Sequence, residues 1–197
     1  METLAAIRRR RMIRRFADRS VPPEVLDRVL RAGLHAPSAG FAQGTEFVVL
    51  DEPGQLDAFW EITDPWGRKH GDEAGAPPVI AVPFANKLRY LQRYSEPDKH
   101  GLGMDVEEGW PVPYWDIDAG MAAMLVLLAA VDEGLGGWFF GIFHGEGELL
   151  RLLGAPNDVR PIGAIGLGYP HPDEVVVRSA RSRARRPVGE VVHRGRF

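Results

Sequence analysis

One apolar stretch constrains the fold of this chain more than any other feature. Residues 118–132 begin and end with aspartate, and between these two residues the chain is apolar on nearly every face of a helix. An α-helix that is hydrophobic all round is typical of a protein core. Its uninterrupted apolar part, residues 119–131, is shorter than the roughly 20 residues that cross a bilayer. We therefore expect a buried central helix with other elements packed around it, and no membrane segment.

Length and composition set the remaining limits. A chain of 197 residues with 45% hydrophobic content can form one domain with a substantial core, so residues 1–197 are predicted to be a single domain. The chain has no cysteine, which excludes disulfides, thiol catalysis and zinc–thiolate sites. Arginines begin at residue 8, where a secretory signal would need apolar residues. We therefore expect a cytoplasmic protein.

The hydrophobic pattern predicts alternating helices and strands, and hence an α+β fold. Helices are predicted over residues 2–12, 20–34, 53–62, 118–132 and 148–153, and strands over residues 47–50, 79–84, 138–140 and 162–167. Residues 87–113 fit neither pattern and are predicted to be a long loop or lid. Three aromatic residues lie at the end of this segment or directly after it: Trp110, Tyr114 and Trp115. They are expected either to cover the core or a dimer surface, or to line a substrate pocket.

Arginine is concentrated near the two ends of the chain. One cluster comprises Arg8, Arg9, Arg10, Arg11, Arg14 and Arg15, and the other comprises Arg178, Arg181, Arg183, Arg185 and Arg186. The planar guanidinium group binds phosphate through two parallel hydrogen bonds. If folding brings the clusters together, they form a phosphate clamp. A nucleic-acid surface is the less favoured alternative, because no DNA- or RNA-binding motif accompanies the arginines and the net charge is only −3.

Four segments, in this order, resemble the FMN-dependent nitroreductase family. Residues 10–16 resemble its opening R-R-S-x-R-x-F, and residues 36–49 resemble its A-P-S-x-x-N-x-Q-P-W-x-F-x-V segment. Residues 118–138 resemble its central helix with the G-L-G-x-x-W exit, and residues 166–187 resemble its L-G-Y-P and K-x-R-x-P ending. Two positions depart from the family pattern: Phe41 replaces the usual asparagine, and Gly44-Thr45 replaces the usual Pro-Trp.

This resemblance implies a homodimer with FMN at the subunit interface, and it names the cofactor-binding residues. Arg10, Arg11, Met12 and Arg14 are expected at the flavin phosphate and ring, with Arg183 and Arg185 completing the clamp. Pro37, Ser38, Ala39, Phe41 and Gln43 are expected along the isoalloxazine, and Phe140 and Gly141 near its reactive N5 edge. The implied fold is a mostly antiparallel sheet flanked by helices, with terminal extensions that wrap around the partner.

The activity implied by the resemblance is hydride transfer from NAD(P)H, through bound flavin, to a planar acceptor such as a nitroaromatic, a quinone or an activated alkene. The cofactor supplies this chemistry, and no side chain stands out as an obligatory acid, base or metal ligand. Two alternatives stay open. In the first, the chain is a flavin-binding or storage protein without turnover. In the second, it is a reductase that uses a deazaflavin.

Overall fold

The computed structural model describes residues 2–67, 75–174 and 183–197, and within them the chain has an α+β fold built on one sheet. The strands are β1 (Thr45–Leu50), β2 (Val79–Asn86), β3 (Gly136–Phe140), β4 (Val159–Pro161) and β5 (Ala164–Gly168). Their order is β1-β2-β5-β3, and β4 pairs with the end of β2. Every pair is antiparallel, so the expected mostly antiparallel sheet is confirmed.

Helices cover the sheet and connect its strands. They are α1 (Thr3–Arg9), α2 (Pro23–Gly33), α3 (Pro53–Thr63), α4 (Lys87–Tyr94), α5 (Tyr114–Asp132) and α6 (Glu146–Leu152). Short 3-10 turns lie at Ala39–Phe41, Glu107–Gly109 and Val188–Glu190. In this architecture residues 37–44 lie directly before β1, and residues 10–15, which contain several of the N-terminal arginines, lie beside β3.

The apolar helix predicted from the sequence is α5, and one of its sides is buried. Ala123, Val126 and Ala130 are buried in a cluster that includes residues of α2, β2 and β5. The opposite side leaves Met121 and Met124 exposed on the single chain. By length and composition alone α5 could also cross a membrane, a test that core helices pass equally well. Burial of α5 is therefore confirmed for one side, and the other is an apolar face.

The segment that follows α1 runs along the outer edge of β3. The Ile13 N–H donates to the Gly137 carbonyl at 3.0 Å, and Met12 forms a parallel bridge with the same glycine. This approach requires glycine at position 136, because a Cβ there would lie 2.7 Å from the Ile13 side chain. The glycine-rich exit of α5 thus lets the arginine-bearing segment (residues 10–15, the arginine segment) pack against the sheet.

Several details differ from the sequence predictions. Helix α1 ends at Arg9 and not near residue 12, and α5 begins at Tyr114 and not at Asp118. Strand β4 was missed because three residues ending in proline carry no strand pattern. Helix α4 occupies the first part of the predicted 87–113 loop, where Asn86 caps it by accepting the Arg89 N–H at 3.3 Å. Helix α2 begins at Pro23 and not at Ser20, since proline is favoured in the first turn and Pro22 occupies the cap position.

Candidate functional site

The arginine segment contains one buried guanidinium nitrogen that has no hydrogen-bond partner among the described residues. Arg10 ends α1, and its Nη1 is buried with no hydrogen-bond partner among the described residues. A buried charged donor without a partner is costly. An anionic ligand would remove that cost, because a phosphate oxygen accepts charge-assisted hydrogen bonds from guanidinium. Arg10 therefore fits the phosphate of a bound nucleotide such as FMN.

The neighbours of Arg10 point in different directions. Arg11 is exposed and lines a small cavity with Val131 and Gly134 at the end of α5. Arg14 lies with its guanidinium carbon 5.8 Å from the centre of the Trp138 ring. Met12 is used structurally, since its Sδ accepts the Phe139 N–H at 3.4 Å. The structure therefore places Arg14 beside β3 and separates it from Arg11.

At the end of β3, the main chain and not the side chain of Phe140 is in a position to contact a ligand. The Phe140 ring is buried and stacks on Trp60 with centroids 5.5 Å apart. Any contact of Phe140 with a ligand would therefore involve its main chain. At Gly141 a Cβ would lie 2.6 Å from the Phe143 ring, so glycine allows that ring to pack directly on the main chain.

Residues 37–44, which we call the Pro-Ser loop, follow a strained path. Phe41 and Gln43 have φ values of 57° and 52°, in the left-handed region that L-residues avoid. The Ser38 hydroxyl accepts the Gln43 N–H at 3.0 Å and closes the turn from within. Pro37 and Gln43 are exposed, and 71% of the Phe41 surface is exposed, so this loop offers a mostly apolar face to a ligand.

Three residues that the sequence reasoning did not single out hold this loop. Asp118 is only 2% exposed, and its Oδ2 accepts both the Ala39 N–H and the Tyr90 O–H at 2.9 Å. The pKa of Tyr90 is raised above its usual range, chiefly because the side chain is buried and secondly because it is hydrogen-bonded to Asp118. Arg93 donates from Nε to the Gly40 carbonyl at 2.8 Å. An aspartate inside an apolar helix was the available signal for this network.

The Pro-Ser loop and the arginine segment lie far apart on one chain. Ala39 is bonded to Asp118 near the start of α5, whereas Arg11 shares a cavity with Val131 near its end. With a rise of 1.5 Å per residue, these two points on α5 are about 20 Å apart. The sheet shows the same separation, because the loop leads into β1 and the arginine segment borders β3, and both β2 and β5 lie between these two strands.

The C-terminal arginines are placed only in part. Arg183 and Arg185 are exposed within residues 183–197, a segment in which every residue is exposed. Arg178 and Arg181 lie outside the described residues. The clamp between the two arginine clusters therefore stays a prediction.

The aromatic residues before and within α5 build a packed cluster. Trp110 and Trp115 are buried, and their rings lie 5.9 Å and 6.1 Å from the Tyr90 ring. The Trp110 Nε1–H donates to the Met104 carbonyl at 2.7 Å and so ties the preceding loop to the cluster. Of the two roles left open, the structure supports the core-covering one for these tryptophans. Tyr114 is partly exposed and contacts the Trp110 ring.

Comparison with known proteins agrees with this architecture. The model of the nitroreductase family matches residues 7–169. A Methanothermobacter thermautotrophicus protein, whose name combines NADH dehydrogenase and NAD(P)H nitroreductase, is 31% identical over 173 residues, covering 86% of this chain and 78% of its own.

Two solved structures illustrate the similarity of the fold. Bacillus megaterium NfrA2 superposes with a TM-score of 0.77 at 23% identity, covering 100% of this chain and 75% of that one. A Desulfovibrio desulfuricans protein solved in complex with FMN gives a TM-score of 0.71 at 27% identity, covering 100% of this chain and 98% of that one. The family model spans both the arginine segment and the Pro-Ser loop, so this chain belongs to the nitroreductase family of oxidoreductases.

Proposed function

We propose that this chain is an NAD(P)H-dependent flavin oxidoreductase that binds FMN between two subunits. The observation that carries the proposal is the buried Arg10 Nη1, which has no hydrogen-bond partner in the part of the chain that the structure describes and lies within the match to the family model. When bound, flavin supplies hydride transfer from a reduced nicotinamide to an acceptor. The residues of this chain bind and orient the cofactor.

Arg10 and Arg14 of one subunit are proposed to hold the phosphate and the adjoining part of the cofactor. The Arg14 guanidinium carbon lies 5.8 Å from the centre of the Trp138 ring in β3, and the main chain of Phe140 and Gly141 follows at the end of the same strand. Positive charge near the ring favours the reduced, anionic state of a flavin. Arg183 and Arg185 are proposed to add to the phosphate clamp from the C-terminal segment. Arg11 and Met12 are proposed to complete the part of the clamp that the arginine segment provides.

The ring is proposed to lie on the Pro-Ser loop of the second subunit. Because about 20 Å of α5 separates the loop from the arginine segment, one chain does not bring both to one ligand, and a two-fold partner supplies the missing half. The apolar face of α5, with Met121 and Met124 exposed, supports association of two copies. Pro37, Ser38, Ala39, Phe41 and Gln43 then cover the ring and exclude water from it.

The acceptor is proposed to be planar: a nitroaromatic, a quinone or an activated alkene. The protein surface beside Gly141 is aromatic, since the Phe143 ring packs on that glycine. A flat ligand can stack in such surroundings. Location in the cytoplasm is proposed as well.

The test is the visible spectrum of the purified protein, followed by addition of NADH or NADPH without air. We expect a protein-bound flavin whose absorption bleaches on addition of nicotinamide and returns when an acceptor is added. Free FMN at equal concentration is the control. Bound flavin that nicotinamide does not bleach would support the storage alternative. A protein that binds a deazaflavin and ignores FMN would support the deazaflavin alternative, and binding of neither would overturn the proposal.

A further inference from the structure

The buried pair formed by Asp118 and Tyr90 touches both ends of the Pro-Ser loop. At the first end, the Ala39 N–H donates to Asp118 Oδ2 at 2.9 Å. The Tyr90 hydroxyl donates to the same oxygen at 2.9 Å. At the second end, the ring of Tyr90 packs directly against the main chain of Gly44. One carboxylate thus connects residues 39 and 44 through a single tyrosine.

The packing around Tyr90 explains the unusual residue at position 44. Tyr90 is fully buried, and a Cβ at Gly44 would lie 2.4 Å from its ring. Proline, the residue expected there from the family pattern, would collide with the ring and would also lack the N–H. The glycine at this position therefore belongs with Tyr90: both are needed for the ring to lie directly against the end of the loop.

The loop itself needs such anchoring. Gly40, Phe41 and Gln43 all have positive φ, and the last two pay a steric cost there because they carry a Cβ. A strained path persists only when the surrounding structure fixes it. The ring of Tyr94 fills the space beside Gly40, and Arg93 holds its carbonyl, so the middle of the loop is fixed as well.

We propose that Asp118 and Tyr90 are positioning residues, which fix both ends of the Pro-Ser loop and thereby set the affinity of this chain for FMN. Neither side chain reaches the surface, so both act through the loop and not by contact with the cofactor. The inference rests on the proposed function. In physical terms, the pair holds the loop in its bound conformation before the ligand arrives, so binding does not have to order it.

The test uses four single variants of the full-length chain and one double variant. Asp118→Ala removes both bonds, Asp118→Asn keeps an oxygen acceptor and removes the charge, and Tyr90→Phe removes only the hydroxyl. Asp116→Ala is the matched control, because this carboxylate also lies on α5 but pairs with Arg160 and not with the loop. Two quantities are measured: the Kd for FMN, from quenching of its fluorescence, and amide hydrogen exchange of a peptide covering residues 37–44 in the flavin-free protein.

We expect Asp118→Ala and Tyr90→Phe each to raise the Kd by about tenfold, the loss of one effective hydrogen bond, and to speed exchange in the loop. Asp118→Asn should restore the Kd to within about threefold of the wild type, and Asp116→Ala should leave both quantities unchanged. Because the two residues act as a unit, Asp118→Ala combined with Tyr90→Phe should be no worse than Asp118→Ala alone.

The outcomes separate the two claims. If the wild-type protein binds no FMN, the proposed function fails, whereas exchange in the loop still shows whether the pair fixes it. If the wild type binds FMN and both Asp118→Ala and Tyr90→Phe bind it within about twofold, with unchanged exchange in the loop, the positioning role is overturned. Tyr90→Phe keeps the buried ring, so it decides the matter even if Asp118→Ala does not fold.

Discussion

At the scale of single residues, the structure distinguishes arginines that the sequence could not. Six arginines lie within residues 8–15, and their spacing along the chain does not indicate which of them binds a ligand. In the fold only Arg10 has a buried guanidinium nitrogen without a partner among the described residues. Arg11 faces the end of α5, and Arg14 lies beside Trp138. The direction in which each arginine side chain points depends on how the arginine segment packs against β3, and this packing cannot be read from the spacing of the arginines along the chain.

Arg10→Ala is therefore expected to weaken FMN binding more than loss of a neighbouring arginine. A hydrogen bond from a charged donor contributes about 1.5–3 kcal/mol, which corresponds to a rise in Kd of roughly 10- to 100-fold. Arg8→Ala is the matched control, because Arg8 is exposed on α1. Fluorescence titration with FMN measures both. Equal affinity of Arg10→Ala and the wild type would remove Arg10 from the site.

Gly40 is the residue on which the shape of the Pro-Ser loop depends most directly. Its φ is 61°, and a Cβ there would lie 2.7 Å from the Tyr94 ring. Gly40→Ala is expected to lower the free energy of unfolding by about 1–2 kcal/mol or more and to weaken FMN binding. Gly54→Ala in α3 is the control, because no atom lies within 4 Å of its Cβ position. Urea unfolding of the two variants compares them, and a fully stable Gly40→Ala would contradict the geometry.

At the scale of secondary-structure elements, long and strongly patterned segments were predictable. Helix α5 and strand β2 have the expected type, because their apolar patterns extend over many residues. Strand β4 has three residues and is defined by its pairing with β2, so its own sequence carries no signal. Helix α4 could not be predicted because most of its residues are polar or charged. Its apolar face is recognisable only in the fold, where Tyr90 packs against Trp115 of α5.

The same limit applies to the candidate site. The Pro-Ser motif and the arginine motif could be found from their residues, whereas Tyr90 and Arg93 could not, because they reach the loop only after α4 has folded against it. Asp118 was visible as a polar residue in an apolar helix, but its partner was not. Supporting residues are set by contacts between elements distant in sequence, and such contacts leave no local pattern.

The connection of α2 to α5 gives a pH-dependent prediction. Arg28 donates to both carboxylate oxygens of Glu133 at 2.8 and 2.7 Å, and this bond lowers the pKa of Glu133. A lowered folded-state pKa adds stability above the unfolded pKa of the glutamate, and that stability is lost as pH falls through the folded value. Arg28→Ala should therefore be slightly less stable than the wild type at neutral pH and equally stable in acid.

Arg28 is exposed and Glu133 is only partly buried, so the difference at neutral pH should be small and should shrink in high salt. Urea unfolding at neutral and acidic pH measures it, with Arg31→Ala on the same helix as the control. A destabilisation by Arg28→Ala that persists unchanged in acid would show that Arg28 acts through packing and not through its charge.

At the scale of the whole molecule, the central claim is that the flavin site is shared between two chains. The arginine segment and the Pro-Ser loop occupy opposite ends of α5, and the exposed apolar side of that helix is available to a second copy. A two-fold dimer has each residue group twice, so each of two sites takes its arginines from one subunit and its loop from the other.

Mixed dimers test this arrangement most directly. Arg10→Glu and Gly40→Ala chains are co-expressed with different tags, the dimer carrying both tags is purified, and its FMN content is measured at a concentration that saturates only wild-type sites. Each variant alone should bind almost none. The mixed dimer should bind about one FMN, because one of its sites combines the intact Arg10 of one chain with the intact loop of the other. A mixed dimer that binds no FMN, or the absence of any dimer, would contradict the shared site.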